Sequence, residues 1–134
     1  MVLIVCIDDK GGMMFNNRRQ SKDRLLRERI LSLTENSKLW MNEYSAKQFE
    51  EYSPQIVIDG DFLDKAGEKD YCFVENIRLA SCTEKAHSVI LYKWNRVYPS
   101  DAFFDMPLDG YKLAQSTFFP GSSHEKITEE VYVK

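Results

Sequence analysis

The sequence has few of the side chains from which metal sites and disulfide frameworks are built. It contains two histidines, His87 and His124, and three cysteines, Cys6, Cys72 and Cys82. No pair of these residues has the spacing of zinc ligands, which argues against a metal-dependent hydrolase or a histidine-rich ribonuclease. The cysteines are odd in number and far apart, which favours reduced, buried thiols over disulfides.

The sequence also lacks a long hydrophobic run and an excess of basic residues. Its N-terminal apolar run spans residues 2–7, far short of the roughly 20 residues that cross a bilayer, and it lacks a signal peptide's basic flank. With 18 basic and 21 acidic residues, the formal charge of −3 argues against a general nucleic-acid or membrane-surface protein. We therefore expect a cytoplasmic protein with neither a nucleic-acid partner nor a membrane partner.

The pattern of the chain is that of one α/β domain. Its 134 residues, 43% of them hydrophobic, can bury a core without disulfides. Near-continuous apolar runs indicate buried strands, and apolar residues at helical spacing indicate helices that cover the sheet. We predict strands at residues 2–7, 39–41, 55–58, 71–74 and 88–94, and helices at residues 21–34, 45–52 and 61–66. The whole of residues 1–134 is expected to form a single domain with a mixed β-sheet flanked by helices.

The last third of the chain predicts strands alone. Residues 111–119 and 127–133 show no helical pattern, and Pro120 with Gly121 favours a bend between them. We therefore expect a long antiparallel hairpin at the C-terminal end.

The N-terminal third follows an order of motifs that occurs in a known family. An apolar strand at residues 3–8 ends in an acid, and residues 12–14 (Gly-Met-Met) and 16–17 (Asn-Asn) follow it. Asp23 then stands at the opening of a helix, and residues 39–42 hold a second strand. In this order the chain resembles the dihydrofolate reductase family, in which a Gly-x-Gly-like loop, an Asn-Gly pair and a pteridine-binding carboxylate occupy these places.

The resemblance continues at the other end of the chain, where residues 90–92, 103–105 and 123–133 follow the closing strands of that family in order. It therefore implies a dihydrofolate reductase-like fold over residues 1–134, with the C-terminal hairpin as part of the sheet. It also implies a cleft beside Asp23 that takes a small heterocycle or an anion.

The half of the site that binds the nicotinamide cofactor in that family has no match here. The family holds the pyrophosphate on a Gly-Gly backbone after the fourth predicted strand, where glycine lets the backbone approach phosphate. This sequence has Glu75 and Asn76 there, and Glu43 replaces a basic residue after the second strand. Residues 58–71 are also too few for the strand and helix that carry the adenosine side. We therefore expect no cofactor. NADPH binding is expected only under the alternative that the chain is a divergent reductase with a rebuilt cofactor site.

Asp23 has two interpretations, and both stay open. As a binding and catalytic residue, it would accept two hydrogen bonds from the amidine-like edge of a pterin. As a structural residue, it would lie just after a Ser21 N-cap, complement the helix dipole and pair with Arg27 one turn on.

The resemblance implies a set of ligand-binding residues around Asp23. We expect the cleft to be lined by Val5, Cys6, Met13, Met14, Asp23, Arg27 and Phe103. Asp23 is the candidate catalytic residue, and we expect no metal ligand.

Two further features also allow more than one interpretation. The basic residues near the cleft form either a phosphate site or a solvated helix face balanced by acids; they are Arg18, Arg19, Lys22, Arg24, Arg27 and Arg29. Ser123 and His124 are neighbours in sequence. On a strand such neighbours point to opposite faces, so we expect local turn chemistry and no nucleophile–base pair.

Three functions remain for the chain. The first is a dihydrofolate reductase-like protein that is not a working reductase and keeps a cleft near Asp23 for a small heterocycle or anion. The second is a divergent NADPH-dependent dihydrofolate or pterin reductase. The third is a non-enzymatic interaction module or homodimer that associates through its aromatic C-terminal strands.

Overall fold

The computed structural model describes residues 1–49 and 53–134, which form a mixed α/β fold with few helices. The helices are α1 (Arg24–Leu33), α2 (Glu43–Ala46) and α3 (Phe62–Lys65), and a 3₁₀ turn spans Ala80–Cys82. The strands are β1 (Val2–Ile7), β2 (Gly12–Phe15), β3 (Arg18–Arg19), β4 (Leu39–Met41), β5 (Ile56–Ile58), β6 (Tyr71–Phe73), β7 (Ser88–Lys93), β8 (Ala102–Phe103), β9 (Lys112–Phe119) and β10 (Ile127–Val133).

Seven strands form the main sheet, in the order β5-β4-β6-β1-β7-β10-β9. The first five strands in that order, from β5 at the edge to β7, are parallel to one another. Strand β10 is antiparallel to both β7 and β9. The central strand β1 pairs on both sides, since Val2 lies opposite Tyr71 of β6 and Ser88 of β7. The predicted mixed sheet and C-terminal antiparallel hairpin are therefore confirmed.

The apolar run of β1 supplies a core on each face of the sheet. Leu3 and Val5 are fully buried on one face, where Phe62 of α3 joins the same cluster. Ile4 is buried on the other face, against Leu26 of α1. Because both faces are covered, the strand reads as a continuous hydrophobic run without alternation.

The segment between β1 and α1 forms a hairpin, which the sequence does not predict. Strands β2 and β3 pair around Asn16 and Asn17, whose φ angles are 50° and 61°. Two consecutive residues with positive φ suit a tight hairpin turn, and asparagine tolerates this conformation. With β8 on its other side, β2 is the centre of a separate three-stranded sheet.

Two predicted helices have different bounds in the structure. Helix α1 begins at Arg24, and Asp23 is its N-cap in place of the expected Ser21. Helix α2 begins at Glu43 because the Asn42 side chain caps it by accepting a hydrogen bond from the backbone of Ser45. The helix predicted at residues 45–52 ends at Ala46, so the prediction is wrong for residues 47–49, and residues 50–52 lie outside the described residues. Within residues 1–49 and 53–134, no helix is both long enough and apolar enough to cross a membrane.

An ionic network ties α1 to the C-terminal hairpin. Arg29 donates to Glu129 through Nε at 2.8 Å and through Nη2 at 3.2 Å, and its guanidinium lies over the Phe119 ring. The hydroxyl of Tyr92 also donates to Glu129, at 2.8 Å. Glu129 is buried, so its charge depends on these partners.

We expect Arg29→Met to destabilise the protein far more than Arg24→Met. Arg24 forms an exposed pair with Glu28 on the same helix, and such pairs contribute less than about 0.5 kcal/mol. Loss of Arg29 leaves Glu129 with an uncompensated charge, which should cost about 1–2 kcal/mol after allowance for the partly exposed Arg29 side chain. Urea denaturation measures both values, and equal losses would contradict this account.

Candidate functional site

A cleft lies where the carboxyl ends of β1 and β6 meet the start of α1. Its lining combines apolar groups with arginine, carboxylate and amide groups: Cys6, Met13, Arg19, Gln20, Ser21, Asp23, Leu26, Arg27, Ile30, Gln48, Phe73, Glu75 and Trp94. The free volume among these side chains is about 20 Å³. That is room for about one water molecule, so protein side chains fill the cleft in this conformation.

Arg19 occupies the mouth of this cleft. Its Nε lies 2.9 Å from Glu75 Oε2, and its Nη2 lies 3.1 Å from Glu75 Oε1. The guanidinium lies 4.4 Å from the centre of the Tyr44 ring and also donates to the Tyr44 carbonyl. The Arg19 and Glu75 side chains are only 15% and 9% exposed, so the pair is largely shielded from water. This bidentate pair holds the cleft closed.

Cys6 belongs to the same cleft lining as this pair. Burial, followed by the negative charges of Glu75 and Asp23, raises the pKa of the Cys6 thiol well above its ordinary value. The thiol therefore stays protonated at neutral pH and contributes packing to the cleft.

Asp23 is buried and engaged through both carboxylate oxygens. Oδ1 accepts from the backbone of Leu26 at 2.9 Å, and Oδ2 accepts from the backbone and the hydroxyl of Ser123, each at 2.7 Å. Burial raises the pKa of Asp23, but the hydrogen bonds from Ser123 and Leu26 outweigh it and lower the pKa to about 2. The carboxylate is therefore ionised at neutral pH and does not store a proton.

A chain of hydrogen bonds runs from Asp23 to Tyr98. Ser123 Oγ lies 2.7 Å from His124 Nδ1, and His124 Nε2 lies 2.6 Å from the Tyr98 hydroxyl. If neutral His124 carries its proton on Nδ1, it donates to Ser123, Ser123 donates to Asp23, and Tyr98 donates to Nε2. His124 also stacks on Trp94, with ring centres 4.7 Å apart.

This geometry corrects the premise that Ser123 and His124 lie on a strand, and it agrees with the expected turn chemistry. Neither residue is on a strand, because the bend between β9 and β10 spans residues 120–126. Their side chains therefore converge instead of pointing to opposite faces. The serine lies between the carboxylate and the imidazole, so the order of groups differs from that of a hydrolase triad.

The expected ligand-binding residues divide into two groups. Cys6, Met13, Asp23 and Arg27 line the cleft together. Strand alternation places Val5 on the opposite face of β1, where it is buried with Met14 in the other core. Phe103 lies on β8, is 51% exposed and is not among the residues of the cleft lining.

Gln20 is a cleft residue that sequence reasoning missed. Its Nε2 donates to Ser100 Oγ at 2.7 Å and to Asp8 Oδ2 at 3.3 Å, which fixes the orientation of the amide. Its Oε1 is buried and finds no hydrogen-bond partner within the part of the chain that the structure describes. No local pattern marks this glutamine, because its partners lie about 12 and 80 residues away along the chain.

Asp8 organises the loops beside the cleft. It is 1% exposed and accepts from the backbone N–H groups of Lys10, Gly12 and Tyr98 at 2.7–3.0 Å. Burial raises the pKa of Asp8, but these hydrogen bonds prevail and lower it. Asp8 therefore stays ionised and fixes the start of β2 relative to the Tyr98 loop.

Three of the six residues in the basic cluster form ion pairs with acids. Arg19 pairs with Glu75, and Arg24 and Arg29 pair with acids on α1 and β10. Arg18 and Lys22 are exposed and form no ion pair with another described residue. Among residues 1–49 and 53–134, no group of three His, Cys, Asp or Glu side chains could hold a metal ion.

Comparison with known proteins adds no family to this description. No protein-family model matches the sequence, and no curated protein sequence matches it significantly.

We expect Asp23→Asn to destabilise the protein by about 2 kcal/mol at pH 7, since its pKa is about 2 when folded and 3.8 ordinarily. A lowered folded pKa gives stability that is present above pH 3.8 and is lost as the pH falls toward 2. Urea denaturation at pH 7 and pH 3 should show that the difference from wild type shrinks with acid. Asp61→Asn is the matched control, because Asp61 is the N-cap of α3 and makes no side-chain cap bond.

We expect His124 to destabilise the protein as the pH falls below about 6.5. Burial, and then the charge of Arg96, lowers the pKa of His124, so the unfolded chain binds this proton more readily than the folded chain. His124→Gln should remove part of the stability lost between pH 7 and 5, measured by thermal melting. His87→Gln is the control at an exposed histidine. An unchanged pH profile in His124→Gln would refute this assignment.

Proposed function

We propose that this protein is a dihydrofolate reductase-like domain that is not an NADPH-dependent reductase and that binds a small heterocycle in the cleft beside Asp23. The observation that carries the proposal is the buried, unpartnered Oε1 of Gln20 in the cleft wall. A ring N–H of a ligand is a suitable donor for that oxygen.

The sheet supports the family resemblance. The resemblance implies a mixed sheet that begins with an apolar strand and ends with an antiparallel hairpin. Strand β1 lies at the centre of the sheet, and β9 and β10 form its last two strands. Asp23 stands at the start of α1 and lines the cleft at the end of β1, where the family's pteridine-binding carboxylate is expected.

The region after β6 supports the absence of reductase activity. The Glu75 carboxylate lies in the cleft and holds Arg19, and the Asn42 side chain donates to Asn76 Oδ1 at 2.9 Å. The first helical element after β6 in the described chain is the short turn Ala80–Cys82. A pyrophosphate here would face a carboxylate and would lack the glycines and helix N-terminus that usually bind it.

The polar groups of the cleft favour a heterocycle over a free anion. Two carboxylates, Asp23 and Glu75, offset the charges of Arg19 and Arg27. Asp23 Oδ1, which accepts from Leu26, has a second lone pair for one ligand N–H. Phe73 and Trp94 in the lining provide apolar surface for a planar ring. The expected partner is thus a flat molecule with N–H donors on its edge.

The cleft has a free volume of only about 20 Å³, so a planar heterocycle enters only if Arg19 leaves it. Arg19 lies on β3, so outward movement of the β2–β3 hairpin would break the Arg19–Glu75 pair and open the mouth. The closed conformation reduces the apparent affinity by the fraction of molecules that are open.

This account predicts that Glu75→Gln binds pterin more tightly than wild type does. The substitution weakens the closing pair and leaves the Gln20 acceptor intact, so the open population rises. Titration calorimetry with pterin should show a severalfold lower Kd. Gln20→Leu should weaken pterin binding at least about fivefold by removing the acceptor, whereas Gln115→Leu, at an exposed glutamine on β9, should not.

The outcome separates the functions. Absence of pterin and purine binding in both wild type and Glu75→Gln would overturn the cleft proposal. Saturable NADPH binding by wild type would favour the divergent reductase instead.

One observation favours the interaction-module alternative. Strand β9 is an edge of the main sheet, and its Leu113 and Phe118 side chains are 51% and 64% exposed. An eight-residue edge strand with apolar side chains is a typical site for pairing with another chain. Sedimentation velocity over a range of protein concentrations distinguishes a homodimer formed in this way from a monomer.

A further inference from the structure

A second, open depression lies beside the closed cleft, and we call it the outer groove. It is lined by Phe15, Asn16, Arg18, Arg19, Gln20, Tyr98 and Pro99. Its volume is about 560 Å³, within the range of small-molecule sites, whereas the cleft has about 20 Å³. The outer groove therefore admits a ligand without rearrangement of the Arg19–Glu75 pair.

The groove has aromatic groups on two separate segments. Phe15 ends β2 and is 42% exposed, and Tyr98 belongs to the loop after β7. The Tyr98 position is fixed twice, because its backbone donates to Asp8 and its hydroxyl bonds to His124. A fixed ring at Tyr98 and an exposed ring at Phe15 suit the stacking of a planar ligand.

The groove also contains a cation that the fold does not use. Arg18 lies directly opposite Phe15 across the β2–β3 turn. It is exposed and forms no ion pair within the described chain, whereas Arg19, the next residue, is committed to Glu75. The free guanidinium beside an aromatic ring is suited to a carboxylate or phosphate on an aromatic ligand.

We propose that the outer groove binds a small planar aromatic anion of the nucleoside monophosphate type. The ring lies against Phe15 and Tyr98, and the phosphate pairs with the Arg18 guanidinium. One arginine in the groove without an ion pair to the described residues, on a protein of net charge −3, suits one anionic group and not a nucleic-acid backbone. The outer groove shares Arg19 and Gln20 with the cleft, but Phe15 and Arg18 belong to the groove alone, and the proposal does not depend on a ligand in the cleft.

Isothermal titration with adenosine monophosphate and uridine monophosphate tests the proposal on the whole chain. We expect saturable binding, with adenosine and inorganic phosphate each binding at least about fivefold more weakly than adenosine monophosphate. Rising salt should weaken adenosine monophosphate binding in wild type because the phosphate contact is exposed. Absence of saturable binding by either nucleotide, or equal affinity for adenosine, would overturn the proposal.

Two pairs of variants locate the site. Arg18→Gln and Phe15→Ala should each raise the Kd of adenosine monophosphate at least about fivefold. Lys22→Gln removes a nearby exposed cation outside the groove, and Phe118→Ala removes an exposed ring on β9, so both should bind as wild type does. Equal weakening in Lys22→Gln and Arg18→Gln would show a diffuse charge effect and refute the site.

The same variants separate this site from the cleft. Phe15 and Arg18 line the groove and are not among the cleft residues, so pterin binding by Glu75→Gln should be unaffected when Arg18→Gln is added. If one variant lost both pterin binding and adenosine monophosphate binding while its melting temperature stayed unchanged, the two ligands would share one site. That result would contradict the inference.

Discussion

The geometry of the site depends on the two hydrogen bonds that Ser123 donates to the Asp23 carboxylate. They join the N-terminus of α1 to the bend between β9 and β10, two segments about 100 residues apart in sequence. The close packing requires glycine at position 121, because a Cβ there would overlap Asp23 Oδ2 and the Ile127 side chain. One carboxylate therefore fixes where the helix starts and how the hairpin bends.

The hydrogen bonds from Ser123 reduce the number of hydrogen bonds that Asp23 can accept from a ligand. An unengaged carboxylate offers two oxygens to an amidine-like edge, but here Oδ2 already accepts two hydrogen bonds from Ser123. Only Oδ1 retains capacity, so the heterocycle proposed for the cleft needs a second acceptor group. Gln20, in the cleft lining, is the proposed second group, because Asp8 and Ser100 hold its Nε2 and its Oε1 finds no partner among the described residues. The structural and binding interpretations of Asp23 are thus compatible, but the structural hydrogen bonds leave only Oδ1 for a ligand.

The sequence predicts the strands well and the site poorly, for a physical reason. Apolar runs such as β1 and β4 report burial directly, and their bounds match the predicted ones. Hydrogen-bonding partners such as Gln20 and Ser100 meet only after the loops are placed, so no local pattern reveals them. The β2–β3 hairpin was missed because its signal, the pair Asn16 and Asn17, looks like an ordinary polar loop.

The Arg19–Glu75 pair explains why one cavity is filled and its neighbour is open. The largely buried Glu75 carboxylate would be costly alone, so it requires a cation close by. Arg19 is that cation, and its guanidinium lies between Glu75 and the Tyr44 ring, in the space that the proposed ligand of the cleft would use. Side chains alternate along β3, so Arg18 faces outward beside Phe15 and stays free. Within the part of the chain that the structure describes, Glu75 thus pairs with one of two neighbouring arginines and leaves the other without an ion pair at the surface.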